Sequence, residues 1–263
     1  MQNEIEVSTT GCSWVEGPTQ IPPLALDEVH VWCTSTAWDA TSMHELLEML
    51  SSSEKERAAR FHFSRDQLRY LACHISLRTL LARYLGLPAQ TIKLENGQHG
   101  KPMLRSTEGA PSLHFNLSHA GDFCLLAFAQ KHEVGVDLET LRPLADYKQI
   151  ALRFFTDSEQ QTLLSADPDQ QLETFFRIWT CKEAFLKASG KGLQQPLKSF
   201  ELRAIGHAMP EVWTSQPQSS HLAEWRLLQF SPGPGLIGAL ASRVLSPTIR
   251  FWQLLSPASN RRS

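Results

Sequence analysis

Two short stretches of this sequence carry acids and bases at spacings that suit chemistry. In "EVGVDLE", residues 133–139, a period of two sends Val134, Val136 and Leu138 to one face of a strand and Gly135, Asp137 and Glu139 to the other. Two carboxylates then share a face, about 7 Å apart along the strand. Gly135 beside them marks a place where a ligand or another backbone comes close. In "FFRIWTCKEAFLKASGKGL", residues 175–193, Phe175, Ile178, Trp179, Phe185 and Leu186 make the apolar stripe of a helix. Glu183 and Lys187, four residues apart, stack on one of its faces. Taken singly, each feature has an ordinary reading. A bare D-x-E is the solvated face of a strand, the Glu183 and Lys187 pair is a surface contact worth about 0.2–0.5 kcal/mol, and Trp179 is core. Taken together, three carboxylates converging from a strand and a neighbouring helix form a hard oxygen site suited to Mg²⁺, which takes its remaining ligands from water and substrate phosphates. A pyrophosphate would complete such a site. Cations for it are available in Lys187, in Lys101 of "QHGKP" and in the basic stretch "EKERAARF", and Ser118 and His119 at the end of "FNLSH" offer hydrogen-bond donors.

These residues need elements to hold them. "EVHVWC" alternates Val29, Val31 and Cys33 against His30 and Trp32 and reads as a strand. Ser42 with Glu45 predicts a capping box for a helix carrying Leu46, Leu47 and Leu50, and Ser64 with Gln67 predicts the same device before "LRYLACHISLRTLLARYLG". That run places Leu68, Leu71, Ala72 and Ile75 on one face, with Gly86 set to end the helix. "LHFNLSH", "FCLLAFA" and "EVGVDLE", separated by "AGD" and "QKH", predict an antiparallel meander packed on it. The plan then recurs. Thr156 and Glu159 predict a capped short helix, residues 170–189 a long one, and "SFEL", "WRLLQF", "GLIGALAS" and "IRFWQL" further strands. The expected fold is α+β: two similar halves, each a long helix on a small antiparallel sheet, related by a pseudo-two-fold. Residues 1–25 form an extension, residues 26–135 and 136–263 the halves, and the site lies between them.

Bulk properties exclude several classes. A chain of 263 residues with net charge −2 has no global attraction for nucleic acid or an anionic membrane, so an anionic ligand must be met by a local cluster. Five widely spaced cysteines without a C-x-x-C speak against a zinc knuckle or a secreted disulfide framework and for reduced, buried thiols. No signal-peptide core opens the chain and no apolar run approaches the roughly 18 residues of a membrane span. The expected location is the cytoplasm.

"VGVDLE", followed by "WTCKEAFLKASGKGL" and preceded by "GKP" and "FNLSH", resembles the 4′-phosphopantetheinyl transferases, in particular the larger Sfp-like class with two similar halves in one chain. The similarity runs from about residue 28 to at least residue 202 in order and spacing. The resemblance implies an enzyme that moves the phosphopantetheine arm of coenzyme A onto a serine of an apo acyl or peptidyl carrier protein, releasing 3′,5′-ADP. It implies Mg²⁺ held by Asp137, Glu139 and Glu183 against the pyrophosphate. Glu183 is then the candidate base, directly or through water, and Lys187 the group that stabilises or protonates the departing phosphate. It further implies that Lys101, Ser118 and His119 bind coenzyme A phosphates, with Arg57 and Arg69 near the 3′-phosphate. The sequence departs from the family at Glu54, where relatives carry a cation, and at Tyr70, where some have a small hydroxyl residue. Lys182 belongs to the motif either as a ligand contact or as a brace. A chain containing both halves has little need of a partner to complete the cleft, so a monomer is expected.

Two other readings use the same residues. Asp137 and Glu139 would serve a glycoside hydrolase as acid and assisting carboxylate, but this leaves Lys187, Lys101 and the arginines without a task. A coenzyme A or carrier-protein binding module without turnover would keep the fold, yet all three acids and the helix lysine are present.

Overall fold

The computed structural model describes residues 13–97, 100–105, 112–190, 192, 195–205, 209–213, 224–244 and 246–256. Its helices are α1 (Ala40–His44), α2 (Ser52–Ala59), α3 (Ser64–Leu85), α4 (Tyr147–Phe154), α5 (Asp157–Ser165) and α6 (Gln171–Ser189). The strands are β1 (Val15–Glu16), β2 (Glu28–Ser35), β3 (Leu94–Asn96), β4 (Pro102–Leu104), β5 (Leu113–Ala120), β6 (Phe123–Gln130), β7 (Val134–Thr140), β8 (Glu201–Arg203), β9 (Glu211–Trp213), β10 (Arg226–Phe230), β11 (Leu236–Ser242) and β12 (Thr248–Gln253).

Two sheets lie face to face, each with one long helix on its outer side. The first sheet runs β1-β12-β2-β6-β5 and the second β10-β11-β7. Strand alternation explains the layering. On β2 and β6, Trp32, Leu126 and Phe128 point outward onto Leu77, Leu80 and Leu81 of α3, while Val29, Val31, Leu125 and Ala127 point inward onto Val134, Val136 and Leu138 of β7 and Leu228 and Leu240 of β10 and β11. The opposite face of the second sheet, with Leu227, Ile237, Ala239 and Ala241, receives Phe175, Ile178, Ala184 and Phe185 from α6. The alternation therefore separates two buried faces rather than core from solvent, and the α+β class holds as a four-layer stack.

Several local expectations change. The meander breaks after β6, because β7 leaves the first sheet and pairs antiparallel with β11, with Asp137 opposite Ala239. The apolar Val134, Val136 and Leu138 face is what the first sheet needs as a cover, and the other face of β7 lies under α6. The division expected at 135 and 136 runs through β7, and β12, late in the chain, returns to the first sheet parallel to β2. Of the expected extension, residues 1–12 lie outside the described residues. Val15 and Glu16 pair with Trp252 and Gln253, and Trp14 packs on Phe230 and Phe251.

Helix starts differ too. Asp39, not Ser42, caps α1 by accepting from Ser42 N, and a 3₁₀ turn at Glu45–Met49 replaces the expected longer helix. Phe63 precedes α3 without a side-chain cap, so Ser64 is helical rather than capping. Thr156 and Glu159 do form a capping box, and Ser51 with Glu54 forms another at α2. Gly86 and Gly190 end the two long helices in the left-handed conformation, at φ 65° and 66°. Cys33, Cys73, Cys124 and Cys181 are free and buried. Among the described residues no helix is long and apolar enough to cross a membrane.

Candidate active site

The site lies where the edge strands of the two sheets, β5 and β7, meet without a backbone ladder. An edge strand leaves unpaired N–H groups, and here side chains of β5 satisfy them. Asn116 Oδ1 accepts from Val136 N at 2.8 Å, and Ser118 Oγ accepts from Leu138 N at 3.3 Å. Ser118 also donates to Asp137 Oδ1 at 3.0 Å. The spacing of Asn116 and Ser118, two apart on one face of a strand, thus sets the height of β7 and of its carboxylates.

From the other side, α6 presses onto β7 at Gly135. A Cβ at that position would stand 2.2 Å from Ala184 O and 2.3 Å from Ala188 N, so only glycine lets the helix sit this close. The close approach brings Lys187 into the seam, where Nζ donates to Asp137 Oδ1 at 2.6 Å and to Ser118 Oγ at 2.8 Å. Asp137 is 4% exposed, and its Oδ2 is buried with no partner among the described residues. The face of β7 that carries Asp137 lies under α6, so the solvated-face reading of a bare D-x-E does not apply to it.

The three acids feel one another. Burial first, and then the charge of Asp137, push Glu139 up to about 7, with Glu183 adding to the rise and Arg142 and Lys187 opposing it. Burial and Asp137 likewise raise Glu183, against Lys187. This is an all-oxygen donor set short of positive charge, with an orphaned carboxylate oxygen inside it, and it fits a hard divalent cation. Among the described residues no three His, Cys, Asp or Glu side chains converge as a finished metal site. Lys187 supplies the counter-charge to Asp137 in the arrangement seen.

A cleft of about 260 Å³ opens beside this cluster, lined by Lys101, Pro102, Asn116, Leu117, Glu183 and Lys187 among others. On its α3 side, His119 points opposite to its neighbour Ser118. Burial, followed by the charges of Lys187, Arg69 and His74, holds its pKa below the usual imidazole value. Arg69 is fixed by Asp122 at 2.7 Å, with Asp66 at 3.7 Å, so its charge is largely balanced in the arrangement seen.

The remaining expected residues divide. Lys182 is a brace: it is 0% exposed, its Nζ pairs with Glu159 at 2.8 Å, and it donates to Leu197 O at 2.8 Å and Phe200 O at 3.0 Å. Lys101 lines the cleft, but its ammonium donates to Val134 O at 2.9 Å and Ala188 O at 3.3 Å, tying the start of β7 to the end of α6. Burial brings it down to about 8. Glu54 is a buried anchor for Arg78 at 2.7 Å and His74 at 3.0 Å. Tyr70 stacks on His74 at 4.1 Å, and Arg57 stands exposed, 5.9 Å over the Tyr70 ring. Asn116 and His74 were not singled out by sequence. For Asn116 the available signal was its i, i+2 relation to Ser118; for His74 there was none beyond its place on α3.

Comparison with known proteins bears on this geometry. Residues 36–131 match the family model "4′-phosphopantetheinyl transferase, N-terminal" and residues 133–233 the "4′-phosphopantetheinyl transferase superfamily". The chain is 34% identical over 240 residues to the 4′-phosphopantetheinyl transferase HetI of Nostoc sp., covering 91% of this chain and 98% of that one. This chain belongs to the 4′-phosphopantetheinyl transferases. The transferase Sfp of Bacillus subtilis is 32% identical over 187 residues, 71% of this chain and 80% of its own. The human L-aminoadipate-semialdehyde dehydrogenase-phosphopantetheinyl transferase is 36% identical over 160 residues, 58% of this chain and 52% of its own. Among solved structures, a holo-(acyl-carrier-protein) synthase from Bacillus anthracis in complex with CoA (3′,5′-ADP) aligns with 42% of this chain and 93% of that one, at 20% identity and TM-score 0.35. As a member of this family the chain is a transferase, and the glycoside hydrolase and non-catalytic readings fall away.

Proposed function

We propose that the β5–β7 seam transfers the 4′-phosphopantetheine arm of coenzyme A to a serine hydroxyl of an apo acyl or peptidyl carrier protein, with release of 3′,5′-ADP. The observation that supports this site best is the placing of Asp137, bonded to Lys187, beside Glu139 and Glu183, both of which its charge raises. Asp137, Glu139 and Glu183 are the residues that would hold Mg²⁺, and the ion would supply charge neutralisation for the pyrophosphate. Glu183, kept basic by its raised pKa, takes the proton of the incoming serine directly or through water. The serine oxygen bonds to the phosphorus that carries the pantetheine arm, and the bond from that phosphorus to the bridging oxygen breaks. The bridging oxygen leaves on the 5′-phosphate of 3′,5′-ADP, where Lys187 stabilises or protonates it.

Arg69 and Arg57, with His119 as a hydrogen-bonding imidazole, make up the side that receives the nucleotide phosphates. Ser118 orients Asp137 and Lys187 and lies within reach of the same anion. Lys101 contributes mainly by holding the cleft walls together, its charge adding to the local potential. The protein acts as a monomer in the cytoplasm.

The test is mass spectrometry of apo carrier proteins incubated with the protein, coenzyme A and Mg²⁺. A carrier gaining one phosphopantetheine, with stoichiometric 3′,5′-ADP and no gain in the presence of a chelator, is the expected result. Unmodified carriers across acyl and peptidyl types would overturn the transfer; full turnover in chelator would overturn the metal assignment.

A further inference from the structure

On β5, Phe115 and Leu117 belong to the core on the α3 side, whereas Asn116 and Ser118 reach the second sheet. Asn116 is 6% exposed. Its Oδ1 is committed to Val136 N, and this bond fixes which way the amide points, because the reversed amide would set its own hydrogens against that N–H. Nδ2 is thereby turned away from β7. Among the described residues it meets no protein acceptor, yet it is not one of the sealed orphan atoms, and Asn116 lines the cleft that holds Glu183 and Lys187. A side chain more than nine-tenths buried, with its donors aimed into a cleft, is a recognition element: a bound molecule without an acceptor there would leave the donors unpaired.

The wall around Asn116 indicates the acceptor. His119 and Arg69 are not among the residues that line this cleft, and Lys187, which does, is tied to the Asp137 carboxylate. Asn116 shares the cleft with Pro102, Leu117, Leu186 and Gly190, and the two lysines that also line it are committed within the protein, Lys101 to Val134 O and Ala188 O and Lys187 to Asp137 and Ser118. Such a wall suits an uncharged chain that carries amide carbonyls rather than a phosphate.

We infer that Asn116 is a specificity residue for the pantetheine arm of coenzyme A, its Nδ2 donating to an oxygen of that arm while its Oδ1 holds β7 in place. The inference rests on the transferase reading above. One side chain thus joins arm binding to the position of Asp137, which is carried on the strand it holds.

Two variants of the full chain separate the two ends of the amide. Asn116→Asp keeps an acceptor for Val136 N–H and removes the donor; Asn116→Ala removes both. Titration calorimetry with Mg²⁺ uses two probes, coenzyme A and 3′,5′-ADP, which lacks the arm. The expected result for Asn116→Asp is about ten- to hundredfold weaker coenzyme A binding, with a clearly smaller loss for 3′,5′-ADP; the new carboxylate is buried and lowers the melting temperature, so binding is compared well below the transition of each variant. Asn116→Ala should weaken coenzyme A similarly and melt earlier. Unchanged coenzyme A affinity in Asn116→Asp, or equal weakening of both probes, overturns the arm contact. Wild-type protein that binds neither probe overturns the transferase reading itself, which is a distinct failure.

Discussion

Lys187 Nζ stands 2.6 Å from Asp137 Oδ1, fifty residues away in the chain and across the contact between α6 and β7. The lysine is the only ammonium bonded to that carboxylate among the described residues, and Ser118 bridges the two. Asp137→Asn keeps the shape and removes the charge that Lys187 neutralises. Transfer should fall by about 10²–10³-fold, the scale of losing one preorganised electrostatic partner. Because the Asp137 charge is the second largest cause, after burial, of the raised Glu139 pKa, the variant should also bring Glu139 down from about 7. Carboxyl-carbon NMR titration reads this directly; a Glu139 midpoint that stays put would mean the two acids are not neighbours in solution.

Glu183 is held upward by burial and by Asp137, so its ionised form is disfavoured in the folded chain relative to the unfolded one. At pH values above its folded pKa the ionised side chain therefore subtracts stability. Glu183→Gln should lower transfer by about 10²–10⁴-fold, the range of a lost general base, while its melting temperature at pH 8 equals or exceeds that of wild type. A marked drop in melting temperature would instead assign Glu183 a structural role.

The site was legible in sequence where its chemistry is local, and obscure where packing decides. Glu183 and Lys187 share a helix face, and Gly135 sits between Val134 and Val136 as the place of a close approach, which turned out to be the backbone of α6. The exchange of β7 from one sheet to the other could not be read, since an alternating strand looks the same whichever sheet it joins. The same ambiguity hid the burial of Asp137, because a polar face covered by a helix has the same period as one facing water. Glu54 illustrates the converse. Its partners Arg78 and His74 lie a helix away and carry no spacing signal, so a buried anchor reads as an exposed charge.

Glu54 also sets an acid limit on stability. Burial pushes its carboxyl upward, but hydrogen bonds with His74 and Ser51 and the charge of Arg78 outweigh that and bring it down to about 2, from an ordinary 4.5. A depressed carboxyl contributes stability that is complete above the unfolded value and is lost as pH falls toward the folded one. Wild-type melting temperature should therefore fall between pH 4.5 and pH 2 more steeply than that of Glu54→Gln, which has no carboxylate to titrate there. At neutral pH the variant should melt lower, since Arg78, 1% exposed, loses its counter-ion. Parallel acid limbs for the two proteins would rule out this contribution.

Lys182, adjacent to the proposed base, provides the sharpest separation of bracing from catalysis. Its ammonium and the Glu159 carboxylate are both fully buried at 2.8 Å, and Glu159 also accepts from Leu202 N at 2.8 Å and Thr156 N at 2.9 Å. One residue of α6 thus ties together the start of α5, β8 and the segment leading into it. Lys182→Met leaves an uncompensated carboxylate in the core and should cost about 3–5 kcal/mol in denaturant unfolding. Adding Glu159→Gln removes that buried charge, keeps an acceptor for the two backbone N–H groups, and should recover a large part of the loss. Transfer per folded molecule should remain within a few-fold of wild type in the double variant, whereas Lys187→Met, further along the same helix, should lose transfer per folded molecule as well as the stability forfeited by leaving the Asp137 carboxylate without its ammonium. A double variant that folds but does not turn over would place Lys182 in the reaction rather than beneath it.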